Sequence, residues 1–199
     1  EGKGARTGLI TTAGFRDALE MGREARYDIY DLGIRMPPPL VPRRRRMEIK
    51  ERVTFDGEIV TPLDADEVAD VLSRLVEDAG IESLAICLLH GYAHPGHEAR
   101  VAEIAARLFP GLTVSVSHQV SAEVREFERT STTVVDAYVK PLVRTYVGRL
   151  NEGLAELGMS QEVSMMLSHG GIGPASDVAE TFPVRMIESG PAAGAIAAG

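Results

Sequence analysis

The sequence has no tryptophan and one cysteine, and aromatic residues make up 5% of it. A lone cysteine excludes an internal disulfide framework. Cys87 lies in the apolar run Leu84 to Leu89 and is expected to be a buried, inert thiol in a reducing cytoplasm. No apolar run approaches the roughly 20 residues that a membrane span needs, and no secretory leader opens the chain, so no membrane partner is expected. A net charge of −8 argues against nonspecific nucleic-acid binding. The one basic run, Arg43 to Arg46, is too short for an extended basic face and is expected to form a solvated loop. Also missing are a Walker-type phosphate loop, a nucleophile elbow and a Cys–His pair with recognisable local spacing.

What is present is enough for a globular core: 199 residues, 44% of them apolar, suit one large domain or two small ones. The chain begins at Glu1 without a methionine and ends at Gly199 in a helix just begun, so it is expected to be an internal piece of a longer protein. Gly8 to Thr12 reads as a strand leading into a helix that stops near Gly22. Tyr27 to Pro42 carries four prolines and is expected to be an extended loop. Met47 to Phe55 alternates apolar with charged residues, and Asp56-Gly57 is a hairpin turn before Glu58 to Thr61. Asp64 is placed to cap a helix from Ala65 to Ala79, with Glu67 as the reciprocal half of a capping box and Gly80 as the stop.

Leu84 to Leu89 is the continuous apolar run of a strand covered on both faces. A helix from Gly96 to Phe109 and a strand from Leu112 to Val116 complete a right-handed βαβ unit. From Ser121 a short helix is expected to lead into a long one, Thr130 to Leu157. Its buried stripe would run through Val135, Tyr138, Val139, Leu142, Tyr146, Leu150 and Leu154, with a kink at Pro141. Val163 to Gly199 reads as strand, glycine turn, short helix, strand (Pro183 to Ile187), glycine turn and helix. Ser189 is the expected N-cap, and the mouth of that helix would suit an anion. The fold class is α/β: a mixed, largely parallel sheet with flanking helices and a peripheral β-hairpin.

His90, His118 and His169 each follow a predicted strand. Ligands of open α/β sheets bind beyond the carboxyl ends of the strands, so these three are candidates for binding or proton transfer; the alternative is ordinary hydrogen bonding. His90, His94, His97 and Glu98 could form a metal cluster, but Pro95 breaks any helix that would align them. No metal site is predicted, and Glu98 is expected to complement the dipole of the following helix. Arg129 heads the polar run Thr130 to Thr133. It is a candidate substrate or phosphate contact, the alternative being capping plus an ion pair to Glu126 or Glu128.

Together Gly8-Leu-Ile-Thr-Thr-Ala-Gly-Phe-Arg-Asp17, Leu88-Leu-His-Gly-Tyr92 with Pro95 and His97-Glu98, Glu128-Arg-Thr-Ser-Thr-Thr133 with Asp136-Ala-Tyr138, Ser168-His-Gly-Gly171 and Glu188-Ser-Gly-Pro-Ala-Ala-Gly194 resemble the hydantoinase A and 5-oxoprolinase family. The likeness runs in order along nearly the whole chain. It implies an actin-like ATPase fold and an enzyme that uses ATP and Mg²⁺ to activate the oxygen of a cyclic amide or ketone, as in N-methylhydantoinases, 5-oxoprolinases and the ATP-using subunits of acetone and acetophenone carboxylases. It divides the chain into the end of an N-terminal region (1–62), an α/β unit with the long helix (63–160) and the start of a hydantoinase A core domain (161–199).

The family's two Asp-X-Gly-Gly-Thr phosphate segments fall outside Glu1 to Gly199, so the piece alone is not expected to hydrolyse ATP. His169 stands where the family commonly has Asn. On this reading His90, His118 and His169 are the catalytic candidates, and Ser168, Gly170, Gly171, Ser189, Gly190 and Arg129 the substrate- or phosphate-binding ones. Expected partners are a small cyclic amide, the rest of the same polypeptide and a hydantoinase B-type subunit. The alternatives are a carboxylase subunit of the same fold and a scaffold segment without chemistry.

Overall fold

The structure is a computed structural model that describes residues 2–23, 30–31, 33, 37–159 and 161–198. The described residues form two compact units, one of residues 6–137 and one of residues 138–199 with the first five residues.

The larger unit is built on two strands made of small and β-branched residues, β1 (Thr7–Thr12) and β5 (Ser83–Cys87), buried at every position. They pair in parallel from Thr7↔Ser83 to Thr11↔Cys87 and occupy the middle of the sheet. β2 (Arg46–Ile49) joins β1 on one side and β6 (Thr113–Val116) joins β5 on the other, also in parallel, giving the order β2-β1-β5-β6. Side chains alternate between the faces, so Ile10, Leu84 and Ile86 meet α2 (Ala65–Ser73) and α3 (Gly96–Leu108) through Val68, Leu72, Val101 and Ile104. Leu9, Ala85 and Cys87 face the other way, onto Val41 and onto Val134 and Ala137 of α5 (Glu126–Glu156). Helices on both faces account for the unbroken apolar run expected from Leu84 onward.

Several local expectations stand and others shift. Met47 to Phe55 does not form one hairpin arm. Its first half is β2 of the parallel sheet, and only β3 (Arg52–Val53) pairs antiparallel with β4 (Ile59–Thr61) around the Asp56-Gly57 turn, where Gly57 has φ +90°. Arg43 to Arg46 is not a solvated loop: Arg43–Arg45 form a 3₁₀ turn, and Arg46 is fully buried, donating from Nε to the Val41 carbonyl at 2.8 Å and from Nη2 to Glu20 at 3.2 Å. The Asp64 carboxylate caps α2 by accepting from the Asp66 and Glu67 amides. Glu67 does not return the bond; its carboxylate accepts from the Lys50 amide at 2.9 Å and ties the helix to the end of β2. The last turn of this helix widens into a π segment, Arg74–Asp78, before Gly80 turns at φ +61°.

The helix expected from Ser121 lies earlier, as α4 (Ser117–Val120), and α5 runs through Pro141 without division. The expected apolar stripe of α5 is out of phase with the buried face, since Leu142 and Tyr146 are 53% and 58% exposed. Besides Val134 and Ala137, the first half of α5 buries polar residues: Arg129, Thr130, Thr133, Asp136 and Lys140. α1 (Ala18–Met21) is a single turn after β1. The proline-rich loop lies partly outside the described residues.

The smaller unit has a core of Val147, Ala175 and Ala179. β7 (Ser164–Met166) and β8 (Ile172–Pro174) form an antiparallel hairpin, followed by α6 (Ala175–Thr181) and α7 (Ser189–Ala198). Pro183 to Ile187, read as a strand, is instead a 3₁₀ turn over Pro183–Met186, because Pro183 already has the helical φ and no amide to lend to a ladder.

Candidate functional site

All four strands of the parallel sheet end at one edge, and the residues that follow them form a connected polar group. Thr12 closes β1; its hydroxyl accepts from the Leu89 amide at 2.9 Å and donates to Glu51, just beyond β2. The other oxygen of Glu51 meets His97 Nδ1 at 2.7 Å. His97 and Glu98 share the first turn of α3, and Glu98 reaches the other way. Its Oε1 accepts from the Leu88 amide at 2.8 Å and the Ser117 hydroxyl at 2.5 Å, and its Oε2 accepts from the His118 amide at 3.0 Å and meets His118 Nδ1 at 2.7 Å. Both carboxylates are buried. A Cβ on Gly91 would collide with the Glu98 carboxylate, so glycine is required there by close approach. Each imidazole is thereby fixed in orientation by a buried carboxylate, the arrangement that sets a tautomer and leaves Nε2 as the exchangeable site.

A third group lies beside these pairs and is not satisfied. Arg129, 1% exposed at the head of α5, donates from Nη2 to the Leu88 carbonyl at 2.6 Å and from Nε to Cys87 Sγ at 3.4 Å, and its guanidinium lies 5.4 Å from the centre of the Tyr92 ring. Its Nη1 is buried without a hydrogen-bond partner among the described residues. On the same ring, His90 makes an edge contact at 6.2 Å, and its Nδ1 is also buried without a partner among the described residues. His90 has φ +56°, which is strained for a residue with a side chain, and its carbonyl accepts from the Ala93 and His94 amides. A buried donor left unpaired costs about 1–3 kcal/mol, so Arg129 and His90 stand apart from the satisfied polar groups around them. Burial pushes the Cys87 thiol up, and the Arg129 charge offsets this only in part, so Cys87 is a packing residue rather than a nucleophile.

The sequence-predicted residues thus divide. His90, His118 and Arg129 are brought to one edge of the sheet. His169 is not the end of a strand in that sheet: it lies in the β7–β8 turn of the smaller unit, exposed, with Nδ1 accepting from the Gly171 amide at 3.2 Å. Around it, the Ser168 amide donates to the Arg185 carbonyl at 2.7 Å, and Gly170 takes φ +86° with no room for a side chain against Ile196 of α7. Ser189 is the first residue of α7 and Gly190 the second, behind Glu188 at φ +65°.

His94, His97 and Glu98 do not gather: His94 Nε2 meets the Phe55 carbonyl at 3.1 Å, His97 goes to Glu51 and Glu98 to His118. Nor does Arg129 pair with Glu126 or Glu128; it turns inward, and Glu128 pairs with Arg23. Reading the residues did not single out Glu51, Tyr92 or the buried role of Glu98. Both acids carried a signal, because Glu51 falls on the apolar phase of Ile49 and Val53 and Glu98 falls three residues before Val101 on the buried stripe of α3.

Comparison with known proteins agrees with this architecture. Residues 1–109 match the hydantoinase/oxoprolinase N-terminal region and residues 129–199 match the hydantoinase/oxoprolinase region. An uncharacterized protein of Methanocaldococcus jannaschii is 41% identical over 95% of this chain, which spans 28% of that protein. The crystal structure of the ATP-dependent caprolactamase from Pseudomonas jessenii superposes with a TM-score of 0.87 at 32% identity, covering 95% of this chain and 27% of the enzyme's. Nucleotide-free acetone carboxylase superposes with a TM-score of 0.83 at 30% identity, over 98% of this chain and 29% of the carboxylase chain. This chain is therefore similar to under a third of each of these proteins. With both regions matched in sequence order, it belongs to the hydantoinase/oxoprolinase family.

Proposed function

We propose that this chain is part of an ATP-dependent enzyme that opens the ring of a cyclic amide, and that its sheet edge holds the substrate or a phosphate by an oxygen. The reading rests on the unpartnered Nη1 of the buried Arg129 and Nδ1 of His90, which flank one tyrosine ring beyond the carboxyl ends of parallel strands. A guanidinium fixed by Leu88 and Tyr92 is preorganised to stabilise negative charge developing on an amide or phosphoryl oxygen. His118, held by Glu98, would carry a proton to or from the same region, and His90 would bind the oxygen or exchange its own proton there. In the smaller unit, Ser168, His169, Gly170 and Gly171, with Ser189 and Gly190, are proposed to let a phosphate or substrate approach the backbone closely. ATP would supply the phosphoryl group that activates the amide oxygen.

Membership of the family, and similarity to a caprolactamase described as ATP-dependent, support the use of ATP. The finer parts of the reading are an actin-like ATPase framework, Mg²⁺ with the nucleotide, a cytoplasmic setting, a hydantoinase B-type partner, an N-methylhydantoinase-like substrate range and the three-part division at 62 and 160. No helix among the described residues is long and apolar enough to cross a membrane. The likeness to acetone carboxylase favours a second reading, in which the same edge serves a ketone carboxylase subunit. A coupled ATPase assay on the full-length protein with lactams, hydantoins, 5-oxoproline, and ketones plus bicarbonate separates the two. Ring substrates alone should stimulate turnover. Stimulation only by ketone with bicarbonate would establish the second reading, and no stimulation would end both.

A further inference from the structure

At the opposite edge of the sheet, where the parallel strands begin, the geometry points to a second anion site that takes a phosphate-bearing small molecule. Arg6 immediately precedes β1, Arg44 and Arg45 immediately precede β2, and Arg74 opens the π segment after α2; together with Asp78 they line a hollow of about 600 Å³. Four guanidiniums against one carboxylate leave three positive charges (4 − 1 = 3) in a chain whose net charge is −8. None of the four is ion-paired to a carboxylate among the described residues, whereas the neighbouring Arg43 and Arg46 are held by Asp17 and Glu20.

Two of the four are fixed by neutral partners, which orient a guanidinium without cancelling its charge. Arg6 Nη1 donates to the Gly80 carbonyl at 3.2 Å, and Gly80 at φ +61° leaves the space that a Cβ would take from that nitrogen. Arg45 Nη1 donates to the Thr7 carbonyl at 3.4 Å. Arg45 is half-buried, and burial with the Arg44 and Arg6 charges beside it weakens its hold on its proton. Crowded like charges, desolvated and aimed by backbone carbonyls, are stabilised by a compact polyanion. Guanidinium forks match the oxygens of a phosphate better than a single carboxylate could. This site shares no residue with the candidate site at the other edge.

The test is calorimetric titration of the full-length protein, without added nucleotide, with inorganic phosphate, pyrophosphate and ADP at low salt, the site being read as the part of the binding that an arginine-reversed variant loses. One such site per chain is expected, and the double reversal R44E/R74E should weaken it at least tenfold; removing two charges and adding two of the opposite sign accounts for that size. Arg44 and Arg74 are exposed and their side chains make no hydrogen bond among the described residues, so the variant should keep the wild-type melting temperature, and R44Q/R74Q gives the same comparison without reversal. Binding of phosphate and pyrophosphate but not ADP identifies free phosphate as the ligand. Binding of ADP as well identifies a nucleotide tail. No heat beyond dilution, or heat unchanged in both variants, overturns the proposal without bearing on the reaction at the other edge.

Discussion

The two edges of the parallel sheet are built on opposite electrostatic plans. At the carboxyl edge two buried carboxylates are each saturated by donors: Glu51 by Thr12 and His97, and Glu98 by Leu88, Ser117 and His118. At the amino edge four guanidiniums face a hollow with no ion pair among the described residues. A saturated buried charge holds strands in place, and a charge without a counterpart waits for one. By that criterion the carboxylates of the carboxyl edge hold its strands and its imidazoles in place, and the open positions are around Tyr92, where the Arg129 and His90 nitrogens are left over among the described residues.

The comparison breaks most decisively at Glu98. Replacing it with leucine leaves the Leu88 and His118 amides and the Ser117 hydroxyl buried without an acceptor, and loss of one member of a buried polar pair costs about 3–5 kcal/mol. Urea unfolding of the Glu98→Leu protein, followed by far-UV circular dichroism, should show its first transition displaced by that amount or the chain failing to fold. A midpoint within error of wild type would show that the network is decoration. The second break is Arg129→Lys. Lysine keeps a positive charge but loses the fork that reaches both Leu88 and an incoming oxygen, so kcat/KM for the ring substrate should fall by about 100-fold, or 2.7 kcal/mol of transition-state stabilisation. A structural role alone would lower the melting temperature and spare kcat/KM in the protein that remains folded.

Cys87 sharpens the same contrast, because it sits under Arg129 yet gains no reactivity from it. Its folded thiol is pushed up by burial, with the Arg129 charge only partly opposing. For a group raised on folding, the stabilisation is complete below the unfolded pKa, about 8.5, and declines above it as the unfolded thiol ionises. Cys87→Val should abolish this part of the alkaline decline. Native-state alkylation read by mass spectrometry of the Cys87 peptide should stay near zero until the protein unfolds.

How much of this was legible depended on range. Asp64, Gly80 and the Asp56-Gly57 turn were read correctly because a cap or a tight turn is decided within four residues. The apolar run from Leu84 declared itself as a central strand because a buried parallel strand has no polar phase. Met47 to Phe55 was misdivided because its alternation is the same whether the partner is β1, some 37 residues earlier in the Ile10↔Met47 pair, or the return strand of a hairpin. The stripe of α5 was misassigned for the opposite reason: it buries Arg129, Thr133 and Asp136 to serve the sheet edge, and a search for apolar periodicity looks past a buried polar face. His169 was grouped with His90 and His118 because a histidine after a short apolar run looks alike in a parallel sheet and in a hairpin. The two acids of the edge were visible as charges standing on an apolar phase, which is the signal to follow in similar chains.

The smallest expected effect concerns the boundary of the basic edge, where Asp17 accepts from Arg43 Nε at 2.9 Å and lies 3.8 Å from Arg46. The Arg43 hydrogen bond, with lesser help from the Arg46 and Arg16 charges, holds the Asp17 carboxyl below the usual range. A carboxyl depressed on folding stabilises fully above its unfolded pKa, about 3.9, and that contribution disappears as pH falls through the folded value. In wild type the melting temperature should therefore fall more steeply below pH 4 than in Asp17→Asn, and the two curves should converge in high salt because the pair is solvent-exposed. The same variant releases Arg43, which precedes Arg44 and Arg45 of the hollow in sequence but does not line it. If those cations recruit a phosphate, freeing a further one should tighten pyrophosphate binding at neutral pH while leaving kcat/KM at the far edge unchanged. Unaltered pyrophosphate affinity in Asp17→Asn would mean that Arg43 stands too far from the hollow to contribute.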